Sequence, residues 1–332
     1  MYTIYFKNKP RLIATGTIAG PKECAGVVGK FVDKTLTDDT FGESTYEKAE
    51  CKMLSYAISK AIENAKCKQT DIDMLISGDL LNQIISASFA ARDFEIPFLG
   101  VYGACSTMSE SFLIGATLID GGYANKVVCA TGSHFASAER QYRYPLELGN
   151  TRPPQAQWTV TGAGGGVLSN AKGADSSVAV TCATIGRVVD FGITDVNNMG
   201  AAMAPAACDT ILAHLRDTGR KAGYYDLILT GDLGALGSRI LKDLTWEKGV
   251  DIDDNHVDCG EIIYKVIEDE FQGGSGAGCS AVVFNSYIFD KLKRKEINRV
   301  LLCATGALLS TVSSGQGESI PCICHAVAIE NV

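Results

Sequence analysis

Two cysteines hold matched positions from which covalent chemistry is possible, Cys105 and Cys279. Cys105 follows the apolar stretch Pro97-Phe-Leu-Gly-Val-Tyr102 and the turn Gly103-Ala104, and opens a segment of helical periodicity that places Phe112, Leu113 and Ala116 on one face. A cysteine at a helix start faces unpaired N–H groups and the positive end of the helix dipole, both of which stabilise a thiolate. Nucleophilic attack is the chemistry this position offers. On position alone an equally weighted reading is a small residue required by the tight turn, with Ser106 and Thr107 capping the helix. Cys279 follows Gly273-Gly-Ser-Gly-Ala-Gly278, a loop that admits close approach of backbone to ligand. It lacks the G-x-G-x-x-G fingerprint, so dinucleotide binding is weakly supported.

A nucleophile needs a base, and the chain has four histidines. His134 follows the strand-like Cys129-Ala-Thr-Gly132, and His325 follows Ile320-Pro321; both are expected near the sheet edge where ligands of α/β layers collect. For His325 a hydrogen-bonded core role among Cys322, Cys324, Ala326 and Val327 is at least as well supported. His214, between Leu212 and Leu215 on a helix, reads as packing, and His256, in the acidic stretch Asp251 to Asp258, reads as surface. That stretch lacks EF-hand spacing. Asp79, Asn82 and Gln83 in Ser77-Gly-Asp-Leu-Leu-Asn-Gln83, and Asp232 after the strand-like Asp226 to Thr230, emerge at strand ends as candidate rim residues. Helix capping is the stronger reading for Asp79 and Asp232. Arg140 and Arg143 can meet a ligand carboxylate, surface acids or a second copy of the chain.

The elements that position these residues repeat. Asp73-Met-Leu-Ile-Ser-Gly-Asp-Leu80 is echoed by Asp226-Leu-Ile-Leu-Thr-Gly-Asp-Leu233, and Cys105-Ser106 and Cys129-Ala-Thr-Gly132 recur as Cys279-Ser280 and Cys303-Ala-Thr-Gly306. Three ordered matches indicate a duplication. The two halves are read as residues 1–172 and 173–332, without a polar or Pro-rich linker, so they are expected to pack on one another around a shared central layer. Each alternates strand and helix, which predicts parallel layers. Helices are expected from Thr45 to Ala65, with Met53, Leu54, Ala57, Ile58, Ala61 and Ile62 on one face, from about Leu80 to Arg92, from Asp209 to Asp217 and from Gly234 to Asp243. Gly162-Ala-Gly-Gly-Gly166 has no Lys-Ser/Thr after it and is read as a tight β-hairpin rather than a phosphate cradle.

Composition bounds the function. A chain of 332 residues, 46% hydrophobic and 20% charged, has apolar surface for two fused halves. A net charge of −8 supplies no basic field, so nucleic acid is not an expected partner. The twelve cysteines show no CxxC pairs, no metal spacing and no secretory leader before them. Cys24, Cys51, Cys67, Cys129, Cys182, Cys208 and Cys303 therefore read as reduced core residues. No cofactor and no metal site are expected. No apolar run approaches the roughly 20 residues that span a bilayer, so the chain is expected to be soluble, with membrane association only through a partner or surface contact.

The turn at Cys105 and the fused halves resemble the thiolase and ketosynthase superfamily, which implies a thiolase-like α/β fold, two duplicated βαβαβ halves packed in αβαβα layers. Closer still, over essentially the whole chain, is the resemblance to the stage V sporulation protein AD family. It is carried by Ser77-Gly-Asp-Leu-Leu-Asn-Gln83, Gly103-Ala-Cys-Ser-Thr107, Trp158-Thr-Val-Thr-Gly-Ala-Gly164, Thr184-Ile-Gly-Arg187, Asn198-Met-Gly200, Met203-Ala-Pro-Ala-Ala207, Tyr224-Tyr-Asp-Leu227, Ala304-Thr-Gly-Ala-Leu-Leu-Ser310 and Ile320-Pro-Cys322. The resemblance implies binding of dipicolinic acid or its calcium chelate, membrane proteins of the SpoVA complex as partners at the spore inner membrane, and a homodimer. It also implies that a condensing enzyme's histidine would follow the second-half strand, where Gly231-Asp232 stands here, and that Gly278-Cys279-Ser280 occupies the place of the other polar partner. Without a base, acyl transfer loses roughly 10²–10⁴-fold, so binding outweighs an acyl-transferring enzyme with Cys105 as nucleophile. The ligand-binding candidates are Cys105, Ser106, Asp79, Asn82, Gln83, His134, Asp232, Cys279 and His325, with no catalytic residue.

Overall fold

The computed structural model describes residues 2–143, 145–149, 151–170, 176–264 and 272–332, so the boundary expected at 172/173 lies outside the described residues. Its strands are β1 (Thr3–Tyr5), β2 (Arg11–Ala19), β3 (Lys34–Thr35), β4 (Met74–Gly78), β5 (Phe98–Gly100), β6 (Lys126–Ser133), β7 (Trp158–Thr159), β8 (Gly162–Ser169), β9 (Val178–Thr184), β10 (Leu227–Thr230), β11 (His256–Asp258), β12 (Gly274–Ser275), β13 (Arg299–Ala307) and β14 (Cys322–Asn331). Its α-helices are α1 (Pro21–Cys24), α2 (Tyr46–Asn64), α3 (Ile85–Arg92), α4 (Thr107–Asp120), α5 (Phe135–Tyr142), α6 (Met199–Thr218), α7 (Gly234–Glu247), α8 (Cys259–Tyr264), α9 (Ala277–Val283), α10 (Phe289–Lys293) and α11 (Thr311–Gly315).

The main sheet runs β11-β10-β13-β14-β9-β2-β8-β6-β4-β5, and its two halves meet where β1 and Arg11 of β2 pair antiparallel with β9. Each half repeats one plan. In β5-β4-β6-β8-β2 the first three strands are parallel and β8 and β2 antiparallel, and β11-β10-β13-β14-β9 does the same. The duplication is thus visible in hydrogen bonds as well as in sequence. Asp73 Oδ2 accepts from the N–H groups of Asn125 and Lys126, and its counterpart Asp226 Oδ2 accepts from those of Asn298 and Arg299. The expectation of wholly parallel layers is corrected by β8, β14, β2 and β9, which return antiparallel because they arrive by connections other than a right-handed helical crossover.

Five layers follow from which helix faces are apolar. Helix α2 starts at its N-cap Thr45, whose side chain accepts from Lys48 N–H, and buries Met53, Leu54, Ala57, Ile58, Ala61 and Ile62 against β2, β6 and β8. α6 covers β13 and β14 on the opposite outer side, around Met203, Ile211, Leu301 and Cys303, and α7 packs beside it against α6 and β11. α4 and α9 lie between the sheets and pack on strands of both, around Phe112, Phe284, Met108 and Val282. Fully burying side chains of this size stabilises by roughly 1.5–3 kcal/mol each.

Several local expectations change. Gly162 to Gly166 is no tight hairpin but part of the buried strand β8, and its glycines answer to close packing: a Cβ on Gly164 would sit 2.2 Å from the Ala281 carbonyl of α9. The helix expected from Asp209 begins ten residues earlier, at Met199, despite Pro205. Its first turns are small enough to press on α7, where a Cβ on Gly200 would lie 3.3 Å from Gly237 N. The segment after Leu80 is not helical until Ile85, because Gln83 (φ 57°) and Ile84 (φ 46°) are left-handed. His256 is buried in β11 and shares a hydrogen bond of 2.9 Å with Thr230 Oγ1, since β11 pairs beside β10 and draws the end of the acidic stretch inward. Cys24, Cys51 and Cys67 are half-buried at the helix edges, whereas Cys129, Cys182, Cys208 and Cys303 are core residues.

Candidate functional site

The ends of β4, β5 and β13 and the turn before α4 enclose a pocket. The turn is one 3₁₀ unit, Ala104–Ser106, continued directly by α4, and Ala104 adopts a left-handed φ of 51°. A non-glycine residue in that region stores on the order of 1 kcal/mol, which the surrounding packing must hold in place. Ser106 Oγ donates to Gly103 O at 2.7 Å, and Thr107 Oγ1 donates to Ala104 O at 2.6 Å while accepting from Gly103 N–H. Both hydroxyls therefore tighten the turn instead of capping α4. Gly306 of β13 packs on the same turn, where a Cβ would come 2.1 Å from Gly103 O. The second half thereby closes over the first half's cysteine.

The pocket between these walls has an empty volume of about 410 Å³, open solvent included. Its apolar walls come from Leu80, Ala138, Met199, Ala307 and Leu309. Its polar atoms come from Tyr102, Cys105, Tyr142, Arg143, Thr159 and Ser275. Thr159 and Ser275 arrive together because β7 and β12 form a separate two-stranded parallel sheet linking the halves. The Tyr102 and Tyr142 hydroxyls are 3.0 Å apart, and Tyr142 also donates to Leu80 O. Arg143 has only 4% of its side chain exposed; Nη1 donates to Glu139 Oε2 at 2.8 Å, and Nε donates to Val196 O. Glu139 Oε2 lies 3.6 Å from Arg152 Nη1 as well, so one carboxylate serves two guanidinium groups.

Cys105 lines this pocket and is buried. Its thiol is pushed well above its ordinary range, first by burial and then by the adjacent Asp232 carboxyl, with Gly276 N–H and Arg143 acting in the opposite direction. Asp232 lies beneath it, fully buried, with Oδ1 accepting from Thr305 Oγ1 at 2.7 Å and Oδ2 facing Gly276 N–H at 3.3 Å. Burial raises its carboxyl to about 7.

The remaining candidates are placed elsewhere. Asp79 is buried and accepts from the N–H groups of Leu81 and Ala87, both at 2.7 Å; burial raises it to about 6. Asp232 does not cap α7, contrary to expectation, because Asp258 accepts from the Leu233 and Gly234 N–H groups at 2.9 Å. Asn82 and Gln83 are exposed on the turn before α3. His134 is the N-cap of α5, with Nδ1 accepting from Ala136 N–H and Nε2 bonded to Asp39 O at 2.8 Å. His325 Nδ1 accepts from Gly186 N–H, and burial lowers it to about 4. Cys279, the third residue of α9, is buried, and burial pushes its thiol up. Ser106, His134, His325 and Cys279 line no part of the pocket, and none of its lining residues is a histidine. Among the described residues no group of three or more His, Cys, Asp or Glu side chains is arranged to hold a metal ion.

Sequence reading left Arg143 among alternatives and passed over Tyr102, Tyr142, Thr159 and Ser275. These side chains come together through the pairing of β7 with β12 beside α5, a tertiary event with no local sequence signal.

The layered, duplicated fold is thiolase-like. Similar solved structures include 3-oxoacyl-[acyl-carrier-protein] synthase III from Aquifex aeolicus VF5 (TM-score 0.60, 13% identity, 97% of this chain and 99% of that one). They also include OleA H285N from Xanthomonas campestris (TM-score 0.63, 13% identity, covering 98% and 99%). At such identities the likeness is one of fold. The chain matches the family Stage V sporulation protein AD (SpoVAD) over residues 1–330 and is 47% identical over 328 residues to the stage V sporulation protein AD of Bacillus subtilis (strain 168), covering 99% of this chain and 96% of that protein. It belongs to the stage V sporulation protein AD family.

Proposed function

We propose that this chain is a non-catalytic binding protein for dipicolinic acid, free or as its calcium chelate, in the sporulation and germination machinery. The observation that carries the reading is an arginine, Arg143, with its side chain buried at a slot walled by aliphatic side chains and two tyrosines, with no histidine among its described lining residues. A guanidinium matches a carboxylate in geometry and charge, and two tyrosines bring flat ring faces beside it. Those are the groups a pyridine dicarboxylate requires. Family membership, with the ligand the resemblance implies, supports the same reading. Cys105 lines the slot, the buried Asp232 lies behind Ser275 and Gly276, and Asp79, Asn82 and Gln83 belong to the turn that follows β4. Membrane proteins of the SpoVA complex would bring the chain to the spore inner membrane; no helix among the described residues is long and apolar enough to cross one. A homodimer fits the exposed apolar edge at β5.

Calorimetric titration with dipicolinate, with and without calcium and against an isomeric pyridine dicarboxylate, tests the reading. Saturable, isomer-selective binding is expected, weakened roughly ten- to a hundredfold by Arg143→Gln, the range for loss of a hydrogen bond to a charged group. No binding under any condition, together with acylation of Cys105 by an acyl thioester, would replace it with the acyl-transfer reading.

A further inference from the structure

The guanidinium of Arg143 meets unequal acceptors. Nη1 donates to Glu139 Oε2 at 2.8 Å and Nε to Val196 O at 3.5 Å, but Nη2 faces the Met199 thioether, with Sδ at 3.9 Å. A thioether sulfur is a weak acceptor, and a guanidinium with only 4% of its side chain exposed has little water to make up the difference. One edge of a buried cation is thus poorly served.

Met199 stands where it can give way. It is the first residue of α6, half-buried, and it lines the pocket together with Arg143, Tyr102 and Tyr142. Its side chain packs at the edge of the cluster that includes Met203 and Leu309. An unbranched side chain with three rotatable bonds changes rotamer readily, and the space beside this one is the pocket itself. We infer that Met199 is a placeholder: its sulfur occupies the seat on Arg143 Nη2 that a ligand carboxylate oxygen takes, and the side chain swings aside as the ligand enters. The exchange replaces a weak contact with a charge-assisted hydrogen bond, so it favours the ligand, while Glu139 keeps Nη1 oriented. The inference rests on the binding reading for its ligand and adds the residue that sets the affinity: a stronger acceptor built in at position 199 closes the seat, and an apolar side chain leaves it open.

Two substitutions of similar size separate this role from packing. Met199→Gln puts an amide oxygen near the place of the sulfur, and Met199→Leu keeps the volume and removes the acceptor. In calorimetric titration with dipicolinate, Met199→Gln is expected to weaken binding roughly ten- to a hundredfold, the range for a competing hydrogen bond to a charged group, and Met199→Leu to bind at least as tightly as wild type. Equal affinities in the two variants overturn the inference, because packing alone does not tell them apart. Methyl NMR of protein carrying isotope-labelled methionine follows the side chain directly, the Met199 signal being the one of 6 that Met199→Leu removes. Without ligand, Arg143→Gln must shift that signal, and saturating dipicolinate must shift it in wild type. Saturable binding with an unmoved Met199 methyl overturns the inference and leaves the binding reading standing. Benzoate is titrated in parallel. If dipicolinate does not bind while benzoate moves the Met199 methyl and is weakened by Met199→Gln, the binding reading falls and the carboxylate seat stands; if neither carboxylate moves the methyl, the seat is overturned as well.

Discussion

Asp79 and Asp232 descend from one position of the repeat and now do different work. Asp79 accepts two buried N–H groups, so Asp79→Ala would strand both. Each unsatisfied buried donor costs about 1–3 kcal/mol, and a loss on the order of 2–4 kcal/mol is expected in urea unfolding. Asp232 supports less backbone, only the Gly276 amide at 3.3 Å, so Asp232→Ala is expected to cost clearly less than Asp79→Ala under the same conditions. Equal losses would mean that Asp232 is a structural residue first. The sequence showed the kinship of these aspartates, but which of them is relieved of capping depends on Asp258, which lies 26 positions beyond Asp232 and is brought beside it by the β10–β11 pairing.

At the scale of elements, the informative segment runs from α3 to β5. β5 is the outermost strand of its half, and Phe98, Leu99, Ile85, Phe89 and Tyr102 are exposed upon and around it. An open apolar strand edge is a pairing surface that soluble proteins usually protect, and a second copy of the chain is the occupant proposed for it. The left-handed Gln83 and Ile84 that precede α3 put the Ile84 side chain over Gly100, where any Cβ would lie 2.4 Å from it. Leu99→Glu places a charge on that edge without touching the interior. Sedimentation is expected to show a dimer for wild type and a monomer for Leu99→Glu, and a wild-type monomer at micromolar concentration would refute the assignment. Because Tyr102 belongs both to this surface and to the pocket, dipicolinate affinity is expected to fall in the monomeric variant.

For the molecule as a whole, buried titratable groups set the response to pH. Glu23, accepting from Thr161 N–H and the Tyr264 hydroxyl, is raised by burial to about 7, and Asp79 and Asp232 are raised to about 6 and about 7. A group with a folded value above its unfolded one stabilises fully below the unfolded value and loses that contribution as pH rises through the folded value. These three acids therefore favour the fold near pH 4 and lose their contribution by about pH 7. His214, His256 and His325 are lowered by burial to about 4, about 3 and about 4, so their contribution is present above about pH 6.5 and is lost as pH falls toward 4. The two sets oppose each other, and because burial raises Glu50, Glu110 and Asp258 as well, the acids outweigh the histidines and stability is expected to fall as pH rises from about 4 to 7. Glu23→Gln removes one acid from the balance. Its stability relative to wild type is expected to worsen as pH falls from 8 to 4, by a change on the order of 3 kcal/mol, checked by urea unfolding across that range.

The sequence by itself determined the class of fold. The echoed Asp73 and Asp226 segments and the paired Cys-Ala-Thr-Gly stretches specify two equivalent halves, and the apolar face of α2 specifies how one outer layer packs, because periodicity and repetition are local properties of a chain. It also marked Cys105, since a strand, a turn and a helix start are contiguous. The tertiary structure decided the site. Arg143, Tyr142, Thr159, Ser275 and Asp232 meet around Cys105 only because α5, the β7–β12 ribbon and the ends of β10 and β13 converge there, and none of those approaches leaves a periodic trace in sequence. His256 and the Gly162–Gly166 run were misread for the same reason: a polar or glycine-rich stretch is exposed or buried according to what packs upon it, and here strand pairing and the helix α9 packed upon them.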